Sequence, residues 1–289
     1  MKAEVLRHID AVNTPSAREQ GQGPGRLRIE REGPIARLVI DNPGRRNALS
    51  RHMWQSFAPA LAGLERDPDI KVLIVQGAGG TFSAGADIRE VEAILRGDSE
   101  TSEGGDLTVA EEALAGFRKP TIAAIDGHCV GGGWELAGAC DLRVATEDAM
   151  IGITPARLGI VYPFSGIARL VRLVGPATAK RLLLTGDLIT APEAQRAGLL
   201  SATVPRATLR HEVDGLAHRL ADGSQFSAWA HKSLIDEIAA GSHGLAELSS
   251  YWQREMAHSP DAAIGVSAFL AKERPAFAWR GPWSSAAQI

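Results

Sequence analysis

Two glycine-rich turns and one glutamate carry the chemistry of this 289-residue sequence. GAGGTFSAGAD, residues 77 to 87, follows the apolar run KVLIVQ, and GHCVGGG, residues 127 to 133, follows TIAAID. Both turns lead into segments of helical composition. A glycine turn between strand and helix brings backbone N–H groups to a point that no side chain blocks, and the positive end of the helix dipole reinforces them. If the two turns converge, their N–H groups can hold the oxygen of an enolate or tetrahedral intermediate, at about 2.7–4 kcal/mol per donor in the transition state. Tight chain reversal or close helix packing is the alternative for either turn alone. Phosphate binding fits neither: the first lacks the GK[ST] ending of a P-loop, and the second lacks the GxGxxG order of a dinucleotide fold.

Glu135 lies two residues past the second turn, beside the apolar Val130, Trp134 and Leu136. Burial there would raise its carboxyl into the range useful for general acid or base work. Its alternative is a helix-terminus carboxylate held by nearby backbone amides. Tyr162, one of two tyrosines, offers a phenol that can orient a carboxylate or protonate an enolate, or else simply packs among Ile160, Val161 and Phe164. Other candidates carry less. His128 and Cys129 are adjacent on a strand and so point to opposite faces, which argues against a Cys–His pair. Ser83 and Ser165 lack the GxSxG elbow of a serine hydrolase.

The elements that must position these groups follow from periodicity. RLRIERE and IARLVI alternate and predict a hairpin turning at Gly33 and Pro34. Apolar residues at 49, 53, 54, 57, 61 and 64 predict an amphipathic helix, and KVLIVQ, TIAAID and LRVAT predict buried strands. GDSETSEGG, 97 to 105, predicts a mobile loop ahead of the helical VAEEALAGF. From about residue 164 the pattern is almost entirely helical, with LLSATV as one further strand. Strand and helix units first and helices last indicate an α/β core with a helical C-terminal region.

Composition narrows the function. With 45% apolar residues, 22% charged and a net charge of −3 without like-charge runs, the chain is neither disordered nor a duplex nucleic-acid binder. Cys129 and Cys140 stand without a CxxC pair or a histidine cluster, so neither a disulfide framework nor a metal site is expected. The opening segment lacks an apolar h-region, and Asp126, His128 and Glu135 interrupt the most apolar stretch. The expectation is a cytoplasmic protein that neither binds nor spans a membrane.

RRNALS (45–50), TFSAGADI (81–88), KPTIAAIDGHCVGGGWELAGACDLRVAT (119–146), LLLTGDLITAPEAQRAGLLSATVP (182–205) and AFLAKERPAF (268–277), in that order, resemble the motifs of the enoyl-CoA hydratase/isomerase, or crotonase, superfamily. The resemblance implies an α/β fold, a crotonase-like spiral of repeated ββα units with a C-terminal helical region, divided as a flexible extension (1–26), a spiral core (27–205) and a helical oligomerisation region (206–289). It implies a homotrimer or dimer of trimers, an acyl-CoA thioester substrate and no separate cofactor. By motif position, the amides of Ala84 and Gly132 would hold the thioester enolate. Gly85, Ala86, Asp87 and Ile88 would line the CoA channel, with Arg46, Asn47 and Ala48 near the nucleotide end and Trp134 shaping the acyl pocket. Phe269 and Lys272 would cover adenine and phosphate, often in a neighbouring subunit.

Family hydratases use two glutamates; Glu135 matches the first, whereas Ala156 takes the place of the second. TPARLGIVYPFSG (154–166) is instead similar to the methylmalonyl-CoA decarboxylase branch, which has an active-site tyrosine at the position of Tyr162. Hydration of a 2-enoyl-CoA through Glu135 leads. Decarboxylation of a malonyl-type CoA ester assisted by Tyr162 is the alternative, and non-catalytic acyl-CoA binding is a third reading. An acid from the loop region, Glu92, Asp98, Glu100 or Glu103, is a candidate to replace the missing carboxylate.

Overall fold

The computed structural model describes residues 25–97 and 103–281. The expected extension at 1–26 lies almost wholly outside these residues, as does most of the expected loop, including Asp98 and Glu100. Strands β1 (Arg26–Glu32) and β2 (Ile35–Asp41) pair antiparallel, Arg26 opposite Asp41 through Glu32 opposite Ile35. Helix α1 (Arg51–Arg66) starts at Ser50, whose hydroxyl accepts the Met53 N–H, and buries Met53, Trp54, Phe57, Leu61 and Leu64. There follow β3 (Val72–Gly77), α2 (Val91–Arg96), α3 (Gly105–Ala115), β4 (Thr121–Ile125), β5 (His128–Val130) and α4 (Gly132–Ala139). Next come β6 (Leu142–Thr146), β7 (Met150–Gly152), α5 (Pro155–Leu158), α6 (Phe164–Thr185), β8 (Leu188–Thr190), α7 (Ala191–Arg196) and β9 (Ala202–Val204). Helices α8 (Leu209–Asp222), α9 (Gln225–Ala240), α10 (Leu245–His258) and α11 (Asp261–Ala271) complete the chain.

The larger sheet has the order β1-β2-β3-β4-β6-β9, parallel from β2 onward. A smaller sheet, β5-β7-β8, collects the second strand of successive units, so the chain runs strand, strand, helix through β4, β5 and α4 and again through β6, β7 and α5. This is the spiral of ββα units. The central strands β2, β3 and β4 are buried on both faces, which is why KVLIVQ and TIAAID are near-continuous apolar runs. One face packs against α1, α3 and α4. The other meets Leu209, Val213, Ala217 and Ala221 of α8. The core therefore does not close at residue 205, since α8 covers one of its faces. A separate cluster of Phe226, Trp229, Trp252 and Trp279 ties α9 to α10 and to the chain after α11. Among the described residues, no helix is long and apolar enough to cross a membrane.

Candidate active site

The first glycine turn is clamped on two sides. The Leu49 N–H donates to Gly85 O and the Asp87 N–H to Leu49 O, both at 2.8 Å. Across from them, the Ser83 N–H donates to His128 O and the Val130 N–H to Ser83 O, both at 3.0 Å, which ties the turn to β5. Gly85 has φ +98 and faces the second turn: a Cβ there would stand 2.8 Å from Val130 O and 3.0 Å from Gly132 N. A Cβ on Gly132 would lie 2.8 Å from the Trp54 ring and 3.3 Å from Ala86 N. The two turns thus meet backbone to backbone, as the glycine pattern suggested.

The amides that remain available differ from the expectation. The Ala84 N–H donates to Arg46 O at 3.0 Å, so Ala84 is not an oxyanion donor. Two residues on, the Ala86 N–H has no hydrogen-bond partner among the described residues. Gly132 opens α4, and its N–H is one of those that no helical carbonyl can reach. Ala86 and Gly132 form the free pair.

A cavity of about 90 Å³ opens at this point. Its head is built from Ala84, Gly85, Ala86, Gly131, Thr154 and Tyr162; Ile88, Val91, Leu95, Leu107, Leu158 and Ile160 make an apolar wall, and Arg157 is the cation in the lining. A side chain starting from Gly131 would meet Tyr162 Oη at 3.7 Å and Thr154 Oγ1 at 3.8 Å, so phenol, hydroxyl and both turns surround one small space. Burial, then the charge of Glu135, pushes the Tyr162 phenol up, and hydrogen bonding with Thr154 opposes this. No carboxylate lines the cavity among the described residues.

Glu135 lies behind this wall. Its side chain is buried against Gly166 and Leu170 of α6 and Glu111 of α3, without, among the described residues, the backbone amide partners that a helix-end carboxylate would have. Burial pushes its carboxyl well above the usual range; the negative Glu111 adds to this and Arg169 opposes it. Glu111 is raised as well, by burial first, with the Arg169 guanidinium pulling down and Glu112 adding a smaller rise.

A family model for enoyl-CoA hydratase/isomerase matches residues 30–280. The chain belongs to the enoyl-CoA hydratase/isomerase family. A crotonyl-CoA hydratase from Syntrophomonas wolfei is 34% identical over 262 residues, covering 86% of this chain and 96% of that relative. A family member of known structure is 40% identical with a TM-score of 0.85, over 89% of this chain and 98% of the other. An enoyl-CoA hydratase/carnithine racemase from Magnetospirillum magneticum is 32% identical with a TM-score of 0.79, over 89% and 97%.

Several residues matched to hydratase/isomerase motifs serve the turn rather than the cavity. Asn47 is fully buried: its amide group donates to Ala78 O and Thr81 O, and its Oδ1 accepts the Asn42 N–H. Arg46, at φ +51, holds the Ala84 amide through its carbonyl, and Ala48 O accepts from Asn42; none of the three lines the cavity. Asp87 is spent on Arg45 at 2.7 Å and Arg89 at 3.0 Å. Trp134 is 2% exposed and packs in the core near Gly138, away from the cavity. Ala156 is exposed and also outside the lining, to which its segment contributes Thr154 and Arg157 instead. Glu92 pairs with Arg96 and Glu103 accepts the Phe164 N–H, and neither lines the cavity. Phe269 is 83% exposed on α11 and Lys272 caps it in the left-handed region; neither lines this chain's cavity. Both cysteines are buried, with their thiols pushed up by burial, which leaves no thiolate nucleophile.

Thr154, Arg157, Glu111, Gly166 and Arg169 escaped the sequence reasoning. Thr154 and Arg157 sit in the segment that was read for its tyrosine, while Glu111 and Arg169 look like ordinary charges on polar helix faces until α3 packs on α6.

Proposed function

We propose that this enzyme hydrates a 2-enoyl-CoA. The thioester oxygen is held by the N–H groups of Ala86 and Gly132 and becomes the enolate oxygen as water adds to the β-carbon. Glu135 is the acid/base group, with Tyr162 between it and the acyl chain. The proton that the α-carbon gains and the proton that the attacking water loses pass through the same carboxyl, so Glu135 ends the cycle as it began. The observation that carries this reading is the pair of unclaimed amides from two turns at the head of an apolar cavity. Coenzyme A enters as part of the substrate, and no separate cofactor is needed. Exposed Val266, Phe269 and Leu270 on α11 support assembly as a homotrimer or dimer of trimers, in which Phe269 and Lys272 reach a neighbour's CoA. The setting is cytoplasmic, in keeping with two free buried thiols.

One observation favours a second reading. The polar groups of the cavity are Thr154, Tyr162 and Arg157, with no carboxylate to repel a malonyl-type ester, and loss of CO₂ would leave an enolate on the same two amides. Mass analysis of CoA esters after incubation decides between them. Gain of water on crotonyl-CoA that vanishes in Glu135→Gln supports hydration; loss of CO₂ from methylmalonyl-CoA, with crotonyl-CoA untouched, replaces it with decarboxylation.

A further inference from the structure

Behind Tyr162, helices α3, α4 and α6 enclose a polar cluster that the motifs do not announce. Glu111 of α3 is completely buried. Arg169 of α6 donates through Nη1 to Glu111 Oε1 and through Nη2 to Glu112 Oε1 at 2.8 Å. The Glu135 carboxyl comes in from α4 on the other side, and the position a Cβ would take on Gly166 is 2.9 Å from Glu135 Cδ and 3.2 Å from Glu111 Oε1. The space between these groups leaves no room for a water molecule.

Chemistry then fixes the protonation. Two ionised carboxylates have no donor between them, so a dry carboxyl–carboxyl contact holds one proton. Arg169 grips Glu111 and makes it the ionised member, which leaves the proton on Glu135. Glu111 Oε2 is buried and without a hydrogen-bond partner, so this carboxylate still has an oxygen to offer a proton. The charged and titratable groups facing the contact are Glu111 and Glu112 from α3, Arg169 from α6, Tyr162 from the segment before α6, and Cys129 from β5.

We propose that Glu111, fixed by Arg169, is the positioning residue for Glu135: it shares one proton with Glu135 from behind and so gives Glu135 the second carboxyl that the segment at 154–166 does not provide. This rests on the reading of Glu135 as the acid/base group, but the protonation itself can be read without substrate.

The test is infrared titration of the substrate-free enzyme between about pH 5 and pH 10, with kcat and KM on crotonyl-CoA measured alongside. Wild type should show a protonated-carboxyl band at neutral pH that is missing in Glu135→Gln. In the near-isosteric Glu111→Gln, the negative neighbour is gone and Arg169 keeps only Glu112 as its ionic partner, so Glu135 should ionise about one pH unit or more lower. Its kcat should fall about tenfold with KM unchanged, the alkaline limb of the profile moving down with the band. Glu111→Asp should restore part of both, and Arg169→Lys should keep the band near its wild-type position. A band that survives Glu135→Gln, or that titrates at the wild-type pH in Glu111→Gln, overturns the proposal. A band that shifts as described in an enzyme that does not hydrate crotonyl-CoA upholds it and removes the hydratase reading instead.

Discussion

Gly166→Ala is the sharpest probe of the site, because two effects of opposite sign meet at one atom. Gly166 lies in the first turn of α6, where alanine should by propensity stabilise by about 0.5–1 kcal/mol. The added Cβ, however, would overlap Glu135 Oε2 outright and sit 2.9 Å from its Cδ, whereas non-bonded heavy atoms prefer about 3.5–4.0 Å. The carboxyl must retreat by more than about 1 Å to clear Oε2, and Glu111, whose Oε1 is 3.2 Å from the same point, blocks the way. Overpacking of this kind costs about 1–3 kcal/mol, which outweighs the gain in propensity. The melting temperature should therefore drop by a few degrees rather than rise, at about 2–4 °C per kcal/mol for a chain somewhat smaller than this one. A misplacement of about 1 Å at the acid/base group can cost about 10²-fold in rate. The assay is the loss of enone absorbance from crotonyl-CoA, beside a thermal melt. A kcat within about twofold of wild type together with a higher melting temperature would show that the Glu135 carboxyl does not occupy this niche in the working enzyme.

Ala86→Pro removes an N–H that the fold does not use and should lower kcat by about 10²–10³-fold; Ala84→Pro breaks the bond to Arg46 and should chiefly lower the melting temperature, and the reverse pattern would return the oxyanion role to Ala84. Tyr162→Phe should slow turnover while CoA-ester binding, read by calorimetry, is retained; an unchanged rate would remove the phenol from the proton path. Lys119 donates to Leu64 O and Asp67 O, and burial holds its amine down at about 8 against an ordinary 10.5. Between those values the unfolded chain binds the proton that the folded chain has released, so unfolding free energy should rise with pH across this window. Denaturant titrations at the two ends check this, and Lys119→Gln should flatten the difference.

Elements with a full period were legible in the sequence. The β1–β2 hairpin, α1 and the central β3, β4 and β6 each present enough residues for alternation, 3.6-residue spacing or a buried run. The smaller sheet was not, because β5, β7 and β8 have three residues each, and β5 is embedded in the turn that was read for its glycines. Three residues give no period. Their pairing comes from the larger sheet, which delivers the second strand of each unit to a common place.

The same distinction separates what was and was not legible in the site. The glycines, Glu135 and Tyr162 could be singled out, because a turn without side chains and a lone acid or phenol among apolar neighbours are local facts. Which amide of a turn is free is not local: Ala84 is consumed by Arg46 from a segment nearly forty residues earlier, and only the pairing of 46–49 with 84–87 reveals that Ala86 is left over. Glu111 is the stronger case. In the sequence it is half of an acidic pair, Glu111 and Glu112, and Arg169 takes one oxygen from each. Helix α3 turns Glu112 toward solvent and Glu111 inward, so one of two identical neighbours becomes a surface charge and the other a completely buried acid beside Glu135. The segment at 154–166 gives no carboxylate to the cavity, and α3 brings one to Glu135 from behind. The number of carboxyls that meet at Glu135 is a property of how α3, α4 and α6 pack, not of any single motif.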